Sequence, residues 1–125
     1  MASGLYWHVH HDVLWEWCTD YDGRVAYIKA NKPAEEVETR LRLMQPVRDP
    51  PGRLAKAGAE YIKARAEYYK AGVECDKARA EYVKARAEYD KATAECAAEM
   101  KALHRTECPD CPWDGKTIFP EVKHG

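Results

Sequence analysis

Between Leu54 and Leu103, apolar and small residues recur every seven positions without a slip in phase. One series comprises Leu54, Tyr61, Tyr68, Cys75, Tyr82, Tyr89, Cys96 and Leu103; a second, three places on, comprises Ala57, Ala64, Ala71, Ala78, Ala85 and Ala92. The two alternate at the three-then-four spacing of heptad positions a and d, which predicts a helix with one apolar seam. Ala, Lys, Arg and Glu fill most other places, and no proline lies between Gly52 and Cys108. A single helix of about 50 residues, on the order of 75 Å long, follows from that composition. Gly58 and Gly72 cost about 1 kcal/mol each relative to Ala, and the Tyr68, Cys75, Tyr82 spacing runs through Gly72, which argues against a hairpin there. Tyrosine at a and alanine at d let rings of one helix lie over alanines of another, so the seam predicts a homo-oligomer. Two alternatives stay open: a lone charged helix supported by pairs such as Lys63 with Glu67, and a seam that packs on the chain's own N-terminal segment.

The flanks carry other patterns. Leu5 to His11 is aromatic and β-branched enough for a short strand, with Tyr6, His8 and His10 on one face and Trp7, Val9 and His11 on the other. From Val13, apolar residues at Leu14, Trp17, Cys18, Tyr21, Val25 and Ile28 fit a helix running to Asn31. A hairpin closed by Asp22-Gly23, between Trp15 to Cys18 and Arg24 to Ile28, fits as well. Pro33 with Glu35 and Glu36 reads as a helix start. Thr39 to Val47 alternates as a strand with one buried face, and a continued helix through Val37, Leu41 and Met44 is its competitor. Past Leu103, Pro109 and Pro112 stop the helix, Asp114-Gly115 makes a turn, and Lys116 to Phe119 suits one short strand. The expectation is an α-rich α+β chain: an N-terminal segment over 1–49, a Pro/Gly linker over 50–53, the heptad helix over 54–104 and a Cys-x-x-Cys knuckle with its tail over 105–125.

Size and charge narrow the function. Of 125 residues, the helix leaves flanks of about 53 and 21, each too small to bury a stable core unaided. They need each other, the helix, a metal or a second chain. Net charge is −1 with signs interleaved, so no basic groove for nucleic acid is expected. No apolar run approaches a bilayer span, and the start Met-Ala-Ser-Gly lacks the pattern of a signal peptide. Five cysteines, two of them in the seam and two in a Cys-x-x-Cys, differ from a secreted disulfide framework and point to a reduced, cytoplasmic setting.

The sharpest chemical signal is His104, Cys108 and Cys111. His104 and Cys108 are four apart and share a helix face, and Cys108 and Cys111 have the gap of a zinc knuckle. A structural zinc needs a fourth ligand, for which His8, His10, His11, Cys18 and His124 are candidates; His10 is the one selected, which would fasten the N-terminal segment to the knuckle. His8, His10 and Asp12 also form a fragment of a metal-hydrolase pattern, although Val13 stands where a further histidine would be wanted. Trp7, Trp15 and Trp17, with His8 and His11, suit a binding surface for a partner or a flat ligand, or else a small aromatic core. Arg24, Lys29, Arg40, Arg42 and Arg48 suit an anion-binding rim to that surface, or solvated charges.

Tyr-Trp-His-Val-His-His-Asp-Val-Leu near the start, the repeated Ala-Glu-Tyr-x-Lys-Ala units and the ending Glu-Cys-Pro-x-Cys-Pro-Trp-x-Gly-Lys-Thr-Ile-Phe-Pro resemble a group of small, uncharacterised proteins encoded by tailed phages and prophages. The resemblance covers most of the chain and implies a viral accessory protein working in the host cytoplasm. The function expected from these readings is non-catalytic binding by an oligomer, directed at a host protein or small ligand and interfering with a host process such as defence signalling. A small metal-dependent hydrolase or nuclease using His8, His10 and Asp12, and a structural spacer, are the rival readings.

Overall fold

The computed structural model describes residues 4–72 and 74–120. The chain divides into two units: one formed by Met1–Arg48 together with His104–Gly125, the other by Asp49–Leu103.

In the first unit, β1 (Gly4–Trp7) and β2 (Trp15–Cys18) pair antiparallel, Leu5 opposite Trp17 and Trp7 opposite Trp15. The expected strand thus ends four residues before His11. At His8 the backbone turns to φ 48°, a left-handed conformation uncommon outside glycine, and this breaks the alternation that would have put His8 and His10 on one face. The 39–47 stretch is not a strand: α2 spans Ala34–Leu43. The alternating Arg-Leu sequence is short enough for the helical spacing of Val37 and Leu41 to pack both, half-buried, against the core. After α2 the chain runs along β1, with the Trp7 amide donating to the Gln45 carbonyl (2.8 Å) and the Val47 amide to that of Leu5 (2.9 Å). Asp22-Gly23 closes no hairpin; it lies in the first turn of α1 (Tyr21–Asn31), where the Asp20 carboxylate caps the helix by accepting from the Gly23 amide (3.0 Å). The core gathers Tyr6, Val9, Cys18, Ile28 and Met44. No strand forms over 116–119; that stretch is held by side-chain and loop bonds, with Ile118 buried and its amide donating to the His11 carbonyl (2.9 Å).

The second unit overturns the single long helix. α3 (Gly52–Ala71) ends at Gly72, whose φ of 92° and ψ of 155° suit glycine and resist any other residue, and α4 (Asp76–Glu95) follows. A further interruption at Cys96 separates α4 from α5 (Ala97–Glu107). α3 and α4 pack as a helical hairpin, and the tyrosines of the a series interleave: Tyr89 stacks on Tyr61 (5.3 Å between ring centroids), Tyr61 on Tyr82 (5.8 Å) and Tyr82 on Tyr68 (5.1 Å), all within 15° of parallel. Arg53 and Glu95 form an ion pair at the open end (2.7 Å), and Arg65 lies over the Tyr61 ring. Leu54, Ala92 and Cys96 are buried. Tyr61, Ala64, Tyr68, Cys75, Ala78, Tyr82, Ala85 and Tyr89 are half-buried, and Ala71 is exposed. The seam assigned to a partner helix is thus filled within the chain, by α3 and α4 facing each other.

Candidate metal centre

β1 ends where the buried Trp7 anchors it: its indole N–H donates to Glu107 Oε1 (3.0 Å), which also accepts from the Arg48 amide (2.6 Å). The next residue, His8, is 2% exposed and points at the end of α5. There His104 is buried, and one helical turn later the Cys108 amide still donates to the His104 carbonyl (2.8 Å), which keeps the two side chains on one face. Pro109 and Asp110 carry the chain through a turn closed by the Cys111 amide on the Cys108 carbonyl (3.2 Å). One nitrogen each from His8 and His104 and the sulfurs of Cys108 and Cys111 all lie within 4.8 Å of one another.

That set suits a tetrahedral ion. Zinc bonds of about 2.0–2.3 Å to nitrogen and sulfur imply edges of roughly 3.3–3.8 Å between donors. His8 Nε2 stands 3.0 Å from His104 Nε2 and 3.2 Å from Cys111 Sγ. His8 Nδ1 lies 3.2 Å from the Val13 carbonyl, which can only accept, so Nδ1 carries the proton and Nε2 presents its lone pair to the centre. Aromatic rings close the sides: Trp7 meets His104 edge-on (5.0 Å) and Trp113 tilts against His8 (5.1 Å). The hydrogen bond with Cys108 is the main cause that holds the Cys111 thiol below its ordinary value, while the same bond to Cys111 and then burial push Cys108 up. The pair thus favours loss of a proton from Cys111 before Cys108, and the thiolate is the form that binds metal.

His104, Cys108 and Cys111 come together as their spacing requires, and the fourth member is His8 rather than His10. His10 is exposed and donates to Glu16 Oε1 (2.5 Å), and His11 Nδ1 bonds Thr117 Oγ1 (3.0 Å). Cys18 is buried in the hydrophobic core, and its thiol is pushed up by that burial. His124 lies outside the described residues. Trp7 and His8 are buried and offer no docking surface, whereas Trp15 and Trp17 are half-buried on β2. The hydrolase trio is not assembled, because His8 faces the cysteines, His10 is taken by Glu16 and Asp12 is exposed. Sequence reasoning missed a cleft of about 380 Å³ lined by His11, Asp12, Arg40, Lys116, Thr117 and Phe119 among others. Of the five basic residues proposed as a rim, Arg40 alone lines it, with its guanidinium bound to Glu36 (2.7 and 2.9 Å) and lying over Phe119.

No known protein family, curated protein or solved structure matches this chain. Among the described residues, no helix is long and apolar enough to cross a membrane.

Proposed function

We propose that the protein is a non-catalytic binding protein whose first unit is closed by one structural zinc ion on His8, His104, Cys108 and Cys111. The observation that carries this reading is the convergence of two imidazoles and two thiols, drawn from both ends of the chain, within 4.8 Å. Four protein ligands leave a tetrahedral zinc no position for a reacting water, so the ion serves the fold. Without it the unit has a two-stranded sheet, two short helices and the tail, little for so small a body to stand on. The cleft at His11, Arg40 and Phe119 has the size of a small-ligand site or a pocket for one partner side chain, and it is the surface through which binding is proposed. In keeping with the phage resemblance, the bound component belongs to the host.

Metal analysis tests the zinc, and cobalt substitution tests the absence of catalysis. Purified protein should carry about one zinc per chain; Cys111→Ser and His8→Ala should lose it, and His10→Ala should keep it. The cobalt form should show a tetrahedral thiolate spectrum that azide and cyanide leave unchanged, since no ligand position is exchangeable. Zinc retained in Cys111→Ser would refute the site, and a cobalt spectrum that shifts with azide would return the metal to catalysis.

A further inference from the structure

We propose that the α3–α4 hairpin opens at Gly72 and re-pairs with a second copy of this chain, giving an exchanged antiparallel dimer. Tyr61 and Tyr89 lie two heptads either side of Cys75, and Tyr68 and Tyr82 lie one heptad either side. These are the pairs that stack in the closed hairpin. A seam symmetric about its own midpoint is complementary to a second copy of itself. Every stack made within one chain can be remade between α3 of one copy and α4 of the other. The heptad phase does not slip between Tyr68 and Tyr82, so fusing α3 to α4 keeps the tyrosines on one face of a continuous helix.

The closed turn also carries a local cost. Gly72 holds a backbone conformation reserved for glycine, and Cys75, the N-cap of α4, makes no side-chain cap bond. Continuing the helix would replace two helix ends by uninterrupted intrahelical pairing, and short hinges of this kind favour exchange. Two consequences follow. Cys75 meets Cys75 of the second copy at the dimer axis. Because Met1–Arg48 and His104–Gly125 form one unit on either side of the hairpin, the exchange also builds each metal centre from His8 of one chain and His104, Cys108 and Cys111 of the other. This second consequence rests on the metal reading above; the exchange does not.

Gly72→Ala tests it, since alanine favours the continuous helix at two positions per dimer and resists the closed turn. The dimer should tighten by on the order of thirtyfold by light scattering. A short bismaleimide should link two chains through Cys75, located by mass spectrometry and absent in Cys75→Ser. Inserting two glycines after Gly72 should lower the dimer fraction. Finally, His8→Ala and Cys108→Ser/Cys111→Ser chains, unfolded and refolded together, should recover one zinc per mixed dimer although neither holds zinc alone. A Gly72→Ala protein that stays monomeric with unchanged helix content overturns the proposal, as does a dimer that does not link at Cys75. If that variant fails to fold, wild-type protein refolded at high concentration answers by the same link: a Cys75-linked dimer supports exchange, and its absence overturns it. Cys75 links without recovered zinc would uphold the exchange and reject the metal assignment.

Discussion

His8 gives its two ring nitrogens different tasks, and its backbone makes both possible. With Nδ1 committed to the Val13 carbonyl, Nε2 is left unprotonated toward His104 and Cys111. The φ of 48° is a local cost of about 1 kcal/mol or more that turns the side chain off the strand face. Asp114 does comparable work in the tail: its Oδ1 accepts from the Lys116 amide (2.9 Å) and the Thr117 amide (3.0 Å), and these two bonds, Lys116 first, hold its carboxyl below the ordinary value of 3.8. A depressed carboxyl contributes stability that is complete above its unfolded value and is lost as pH falls through the folded one. The turn that sets Thr117 against His11 should therefore hold at neutral pH and loosen only below 3.8. The amide resonances of Lys116 and Thr117, followed in an acid titration, should move together with a midpoint below that value. In Asp114→Asn the transition should vanish. A midpoint above 3.8 would show that the carboxylate is not the acceptor.

At the scale of elements, the tyrosine stack decides whether the hairpin holds. Tyr82 lies between Tyr61 and Tyr68 and touches both. Aromatic pairs contribute about 0.5–1.5 kcal/mol each beyond area burial, so Tyr82→Ala should cost the hairpin about 1–3 kcal/mol. The neighbouring Val83 is 58% exposed, and Val83→Ala should stay within about 0.5 kcal/mol. Urea unfolding followed by helix content measures both, and equal costs would mean that the stack carries no stability. The heptad pattern located every residue of this stack but not the direction of its pairing. Phase continuity through Gly72 argues for one helix, yet a seam symmetric about Cys75 keeps the same partners when it folds back, so periodicity does not distinguish the two. The metal centre divided in a similar way. The spacing of His104, Cys108 and Cys111 is local and legible, while the choice of His8 over His10 depends on one backbone torsion at the end of a strand that no pattern of apolar residues encodes. The cleft is less legible still, being lined from three stretches, 11–12, 36–40 and 114–120, with nothing in sequence to join them.

The whole molecule is a discontinuous unit interrupted by a hairpin, with the proposed zinc joining the two ends of the chain. All four tryptophans, Trp7, Trp15, Trp17 and Trp113, fall in the discontinuous unit with Tyr6, Tyr21 and Tyr27, and the other five tyrosines fall in the hairpin, so tryptophan emission follows the first unit alone while most of the tyrosine signal follows the hairpin. A structural zinc contributes on the order of 10–16 kcal/mol of apparent binding energy at neutral pH, as much as or more than the 5–15 kcal/mol that holds an ordinary domain together. Its removal should therefore unfold the first unit outright rather than soften it. The hairpin takes its stability from helix propensity and the stacked rings, neither of which involves the metal. A strong zinc chelator should shift tryptophan emission to the red and open 104–120 to protease, while the tyrosine signal and much of the helical signal persist and melt in a separate transition. Restoring zinc should reverse both changes. Loss of the tryptophan and tyrosine signals together would mean that the hairpin depends on the metal-closed unit, and tryptophan emission unmoved by the chelator would remove zinc from the account of this fold.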